Sequence, residues 1–540
     1  MTDSALLGNR YYMREKLLII KRIIFLIFLL VAGYLTGDTG TGLLLAGFSV
    51  FSLIFVLLFG GVEDTVYKMV TVRKNKGFYS QAAKIFHFGL SYALVLGALA
   101  AVIMWFGSLK LSELVFGYPI MQSILGFFGI LFLLLGLYSV LRGYTKACGY
   151  EGILFITDIV ESIILIVGGV FITRFFSAYG TKVAAVLKDD IYTNLNGTIG
   201  VMITLCISVF VSSLIMLVVI LLYAGGRIVD TGRAVNVKKN FKRSFIKTCV
   251  LSRAENIFTV LAYFVSILMY VRKSHSLDLN AAPVFAEVGL VIYKLFVFVF
   301  VIIVPYMAYS NREKRKVKND VAKEEHKTVR MRSLYYIKNT MFMILPATAT
   351  MITLAKPIVG VFCSGLMNEG VVILRKGGIL ILLIALSICF KNILKGVGQE
   401  LLFYAGQGIS FVTMLVFLYS SLNVNTDISY VVLALVIYYL ALDVITGFLA
   451  IRTVGLNIYD LGIRVGKPIG AVLLLVLIEA MIDKFMILSW PLFILTVAVG
   501  YVVYFVACGF LGCITIKDVN SLKGTITYYP AFITERFLGK

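Results

Sequence analysis

Apolar runs long enough to cross a bilayer recur along this chain from near its N-terminus to about residue 517. A spanning helix needs about 20 consecutive apolar residues. Hydrocarbon offers no water to satisfy a peptide group, so such runs must close their own hydrogen bonds as helices. A membrane β-barrel would alternate polar and apolar residues in short segments. Stretches such as 24–32 and 472–478 do not alternate. Only 14% of the 540 residues are charged, against about 25% in an ordinary soluble domain. The pattern excludes a soluble globular fold and predicts an all-α polytopic membrane protein.

Polar breaks divide the apolar runs into fourteen expected helices: 14–36, 41–66, 81–107, 121–145, 150–175, 197–224, 246–271, 282–309, 333–360, 373–395, 400–422, 427–451, 466–487 and 490–516. The first is read as a membrane helix rather than a signal peptide, because further apolar runs follow at once and no cleavage site introduces a soluble domain. With the N-terminus inside, 38 of the 50 Lys and Arg residues fall on the cytoplasmic side and nine outside. That asymmetry follows the positive-inside rule and predicts both termini in the cytoplasm. The net charge of +22 then faces anionic headgroups. The basic segment 311–332 carries four acids and no aromatic residue. It reads as a solvated cytoplasmic loop, and no nucleic-acid partner is expected. The segment 177–196 reads as an insertion on the outside.

An internal repeat is also present. Arg142–Gly149 (RGYTKACG) aligns with Lys391–Gly398 (KNILKGVG), placing Arg142 on Lys391 and Gly149 on Gly398. These four positions form a candidate cytoplasmic gate motif. The expected organisation is an N-lobe of six helices over 1–224, a basic cytoplasmic linker over 225–247, a C-lobe of six helices over 248–455, and two further helices with a tail over 456–540.

Ionisable groups inside spanning helices are costly and mark function by default. Lys294 lies mid-way along the eighth helix with no acid one turn away; it either faces a water-filled cavity or snorkels or pairs across helices. Arg253 and Glu255 in the seventh helix are two residues apart and point to different faces. Asp158 and Glu161 in the fifth are three apart and share a face; they bind a cation, carry a proton or pair with neighbouring basic groups. Lys21 and Arg22 either snorkel or line a vestibule. No P-loop, nucleophile elbow or HExxH motif is present, so the chain does not read as an enzyme. The seven cysteines and three histidines form no ligand cluster, so no metal or cofactor is expected beyond a coupling ion, Na+ or H+.

The segment Ser139–Val167, with Leu141-Arg142-Gly143-Tyr144, Gly149 and Glu161, resembles the multidrug/oligosaccharidyl-lipid/polysaccharide (MOP) exporter superfamily. Its closest likeness is to the polysaccharide-biosynthesis flippases, the stage V sporulation protein B-like and lipid II flippase-like branch. Gly60-Gly61 with Asp64 and Lys68, and Lys395-Gly396-Val397-Gly398, are similar to other segments of that branch, whereas Leu165 departs from the Arg often found there. The resemblance implies two six-helix lobes around a central cavity, plus two C-terminal helices, working by alternating access. It implies transport of an oligosaccharide on an isoprenoid pyrophosphate, with Lys294, Arg22 and Arg253 as candidate cavity cations. The expected setting is a bacterial cytoplasmic membrane, with membrane lipids, the lipid-linked substrate and envelope-synthesis proteins as partners. A Na+- or H+-coupled exporter, using Asp158, Glu161 or Glu255, and a non-transporting scaffold of an envelope complex are the alternatives.

Overall fold

A computed structural model describes residues 3–224, 241–254, 256–290, 295–362, 367–485 and 490–513. Among these the regular structure is helical throughout. The helices are α1 Asp3–Phe59, α2 Val62–Asn75, α3 Tyr79–Val115, α4 Met121–Cys148, α5 Glu151–Ile163, a π turn Ile164–Gly168, α6 Gly169–Leu187, α7 Ile191–Ala224, α8 Phe241–Arg253, α9 Ile257–Ser276 and α10 Ala281–Gly289. They continue as α11 Phe296–Ala322, α12 His326–Thr353, α13 Ala355–Phe362, α14 Met367–Gly377, α15 Leu380–Gly396, α16 Glu400–Val424, α17 Ser429–Val454, α18 Ile458–Phe485 and α19 Trp490–Phe510.

Eleven described helical segments are long and apolar enough to cross a membrane, and the protein is a multi-pass membrane protein. They cover twelve of the fourteen expected spans, because Lys21–Asn75 joins the first two. The other two differ for local reasons. The eighth includes residues 291–294, which lie outside the described set, and the ninth, α12, mixes apolar residues with Lys338, Asn339 and several threonines.

Three connections expected as loops are helical. The break expected between the first two spans, after residue 36 and before 41, reduces to one non-helical residue, Gly37, at φ 69° and ψ 176°, a conformation open to glycine. The outside insertion expected at 177–196 is instead a helical hairpin: α6 runs to Leu187 and α7 starts at Ile191. Glycines bring its two arms into backbone contact. A Cβ at Gly180 would lie 2.9 Å from the Tyr192 carbonyl, and one at Gly200 would lie 2.9 Å from the Thr173 Cα. Small residues permit such approach between membrane helices. The solvated loop expected at 311–332 is also helix up to Ala322, and α12 resumes at His326. Its polar composition concealed a packed face: Val317 is fully buried against Gly396 of α15, and Asp320 pairs with Arg332 across the turn.

The chain divides into two compact units, one of Ile20–Tyr293 with Leu418–Val431, the other of Met1–Ile19, Lys294–Phe417 and Val432–Lys540. In the first, α3 presents Gly89, Ala93 and Gly97 as a buried small-residue stripe at i, i+4 spacing. A Cβ on Gly97 would come 3.0 Å from the Leu133 Cα of α4. Phe51, Phe128 and Phe132 stack beside this contact, with ring centres 4.5 and 4.9 Å apart. In the second unit, Tyr306, Ser310 and Tyr309 of α11 meet Tyr336, Asn339 and Thr340 of α12 and Asn392 of α15 in a buried hydrogen-bonded network. The last two helices dock on α12 through an apolar cluster of Phe342, Ala349, Leu475, Tyr504 and Cys508. Glu479, fully buried, accepts from Thr350 at 2.7 Å and Thr353 at 2.6 Å within that seam.

Candidate functional site

The first unit contains a six-charge cluster built by three helices and the start of a fourth. On α4, Tyr138, Arg142 and Lys146 recur every four residues and so occupy one face. On α5, Asp158 and Glu161 share a face, as their spacing required. Lys21 of α1 reaches both carboxylates: its Nζ lies 2.9 Å from Asp158 Oδ1 and 2.6 Å from Glu161 Oε2. It also donates to Tyr138 Oη at 2.9 Å. Arg142 grips Asp158 with two nitrogens, at 2.7 and 3.1 Å, the bidentate geometry that makes guanidinium–carboxylate pairs strong. Tyr138 donates to Glu161 at 3.0 Å. Towards the end of α4, Glu63 of α2 sits 3.7 Å from Arg142 and 3.4 Å from Lys146.

Three cations thus face three carboxylates. Asp158 and Glu161 are buried, at 7% and 9% exposure. Carrying one such charge into a membrane lobe is unfavourable unless a partner and hydrogen bonds offset the lost hydration. Here every carboxylate has a cation within 4 Å. Of the possibilities open for Asp158 and Glu161, pairing with basic groups has its partners in place. Among the described residues, no group of three or more His, Cys, Asp or Glu side chains could hold a metal ion.

The other sequence candidates fall as follows. Of the adjacent pair at the start of the first span, Lys21 points into the lobe and Arg22 is exposed; a rotation of about 100° per residue separates the two. Arg253, expected as a cavity cation, donates to the Leu58 carbonyl at 2.9 Å, to the Gly60 carbonyl at 3.3 Å and to the Tyr92 hydroxyl. It serves the carbonyls at the C-terminal end of α1, which lack intrahelical donors. Gly149 and Gly398 adopt φ of 80° and 84° and stop α4 and α15 with equivalent turns. Tyr150 N bonds Thr145 O at 3.2 Å, and Gln399 N bonds Leu394 O at 2.8 Å. Lys391 lies half-buried on α15. Lys294 and Glu255 lie outside the described residues.

No family model and no curated protein sequence matches the chain, and the likeness lies in three dimensions. It is similar to a solved inward-facing multidrug resistance MATE family transporter of the MOP superfamily, with a TM-score of 0.63, 12% identity, and coverage of 81% of this chain and 94% of that one. It is also similar to a MOP superfamily transporter from Pyrococcus furiosus Vc1 (DSM3638), at a TM-score of 0.54 and 13% identity over 83% of this chain and 95% of that one. An outward-facing MATE family transporter gives 0.51 and 15%, over 82% and 95%. The chain has the MOP superfamily fold. At these identities the MOP fold is what is shared, so the cluster has to be read from its own chemistry.

Two buried acids of the second unit escaped the sequence reading. Asp443 is the one acidic residue of α17, nine residues before Arg452, and Glu479 follows the apolar run 471–478 of α18, one turn before Asp483. Asp443, centred in an apolar run, is a signal of the same kind as Lys294. Attention to cations passed over it.

Proposed function

We propose that this protein is a membrane transporter that flips a lipid-linked anionic oligosaccharide, or a cell-wall precursor of that class, from the inner to the outer leaflet of the cytoplasmic membrane. Transport is inferred from the fold it shares with solved transporters over 81% of its length and 94% of theirs. The observation that points to an anionic cargo is the pairing of Lys21 and Arg142 with buried carboxylates. Those carboxylates keep two cations charged inside an apolar lobe. A pyrophosphate presents the same oxygen chemistry and can take over charge-assisted hydrogen bonds from Asp158 or Glu161. In this reading the termini are cytoplasmic, membrane lipids surround the helices, and Lys294 and Arg22 remain candidate contacts for the headgroup.

A Na+- or H+-coupled drug or metabolite exporter is the second reading. Ion pairing leaves Asp158 and Glu161 poor ligands for a coupling ion, but Asp443 offers a carboxylate without a cation. Reconstitution in liposomes carrying a labelled isoprenoid-pyrophosphate oligosaccharide separates the two. Flipping by the wild type, lost in Lys294→Ala and in the charge-neutral Lys21→Met/Glu161→Gln variant but retained in Lys110→Ala, is the expected result. Gradient-driven efflux of cationic dyes with no flipping would replace the first reading by the second.

A further inference from the structure

Asp443 lies near the middle of α17, a 26-residue helix, and 8% of it is exposed. Among the described residues, neither carboxylate oxygen has a hydrogen-bond partner and no salt bridge reaches it. This is unlike every other buried acid in the protein for which partners have been given. Asp158 and Glu161 have cations, and Glu479 has two threonine hydroxyls.

The surroundings explain why it is bare. One turn along α17, Thr446 presses on Gly406 of α16, where an added Cβ would stand 2.9 Å from its methyl. Gly447 meets the Phe390 ring of α15 at 3.1 Å by the same measure. The three helices therefore close around this stretch at glycine contacts too tight for intervening side chains. Their hydroxyls turn inward. Thr446 donates to Leu442 O at 2.6 Å, Ser410 to Gly406 O at 2.8 Å and Ser387 to Ile384 O at 2.9 Å. On the buried face of α16 stand Phe403, Gly406, Gln407 and Ser410, none of which titrates. The titratable groups around this stretch are the buried thiol of Cys389 on α15 and, on α17 itself, the buried Tyr438 and Tyr439, the latter one turn before Asp443. No arginine or lysine of α17 lies closer in sequence than Arg452.

An ionised carboxylate in such a place would be stranded, with a burial cost of several kcal/mol and nothing to offset it. The neutral acid avoids most of that cost. A bare metal cation would need a shell of several oxygen ligands, and the described residues near Asp443 do not supply a cluster of acids. We propose that Asp443 is a proton-binding site of the second unit. It is buried as the carboxylic acid, and it exchanges its proton with water when α15–α17 part. The step is the addition of H+ to the carboxylate from one aqueous side and its loss as H+ to the other, with no other bond made or broken. Its use in coupling rests on the transport reading; its occupancy by a proton does not.

Dicyclohexylcarbodiimide tests the site in the full chain, because this apolar reagent modifies protonated carboxyls within the membrane. In purified protein reconstituted in liposomes, mass spectrometry of the peptide bearing Asp443 should show modification at neutral pH. The modification should fall about tenfold per pH unit once the acid titrates, be indifferent to NaCl at fixed pH, and vanish in Asp443→Asn. Absence of modification at every pH in protein that still melts cooperatively would overturn the proposal. So would protection by NaCl at constant pH, which marks a sodium site. In the same liposomes a pH gradient should alter oligosaccharide flipping by the wild type and not by Asp443→Asn. Labelling that behaves as expected in a protein that flips nothing removes the proposed cargo and leaves the proton site standing.

Discussion

Replacing Lys21 by methionine removes the ammonium and keeps most of the side-chain volume. What remains is unequal. Asp158 retains its two contacts with Arg142, at 2.7 and 3.1 Å, whereas Glu161 is left with the Tyr138 hydroxyl at 3.0 Å. One carboxylate in the lobe interior loses the one cation that the described residues bring to it. Stripping one partner from a buried ion pair costs about 3–5 kcal/mol, chiefly because the other charge is left stranded. The Lys21 side chain is 21% exposed, so some water reaches the pair and the lower end, about 3 kcal/mol, is expected. The second change, Glu161→Gln, removes the stranded charge. The double variant should then recover most of the loss, leaving about 1 kcal/mol for the altered hydrogen bonds. The assay is a double-mutant cycle on purified protein, read as thermal or denaturant midpoints of wild type, both single variants and the double. A coupling energy near 2 kcal/mol or more is expected. Additive losses, or a Lys21→Met protein as stable as the wild type, would refute the idea that these charges are buried and interdependent.

Other outcomes follow from single contacts. Arg253→Leu should lower stability by about 1–3 kcal/mol, because the Leu58 and Gly60 carbonyls lose their donor. Arg253→Lys should restore part of that stability, whereas a purely substrate-binding arginine would leave the melting midpoint unchanged. Gly42→Ala would place a Cβ 1.7 Å from the Phe285 carbonyl of α10, forcing α1 and α10 apart at a cost of about 3 kcal/mol or more. Gly126→Ala on α4, where nothing lies within 4 Å, should be neutral or slightly stabilising, and the two melting curves compared side by side check the pair. Glu479→Leu, which leaves the Thr350 and Thr353 hydroxyls without their acceptor, should loosen α18 and α19 from α12, measured as faster proteolysis of the 458–513 segment. A cysteine introduced at Lys318 should react with impermeant reagents only in opened cells; labelling from outside would invert the expected topology.

Much of this protein could be read before any coordinates. The runs of about 20 apolar residues specify membrane helices because a peptide group in hydrocarbon has no other way to be satisfied. Asp158 and Glu161 share a face because helix geometry puts residues three apart on one side. The repeated Lys-Gly endings became two left-handed glycine turns, since a glycine after a helix is the cheapest way to reverse its path. These are local consequences of residue type and spacing.

The rest depended on partners far away in the chain. Lys21 and Arg22 are equivalent by composition, and only the packing of α1 beside α4 and α5 turns one inward. Arg253 reads as a charge in a membrane until Gly60 brings the end of α1 within its reach. The polar stretch 311–332 reads as loop until α15 supplies a buried surface for Val317. Asp443 looked unremarkable until the packing of α15, α16 and α17 left its carboxylate without a hydrogen-bond partner among the described residues. The sequence by itself determined that the chain forms membrane helices and where most of them break, because helix formation in lipid is decided within each segment. The tertiary structure alone decided which charges are paired, which is engaged with backbone and which is left alone, because the energy of a buried charge is set by neighbours that sequence order does not reveal.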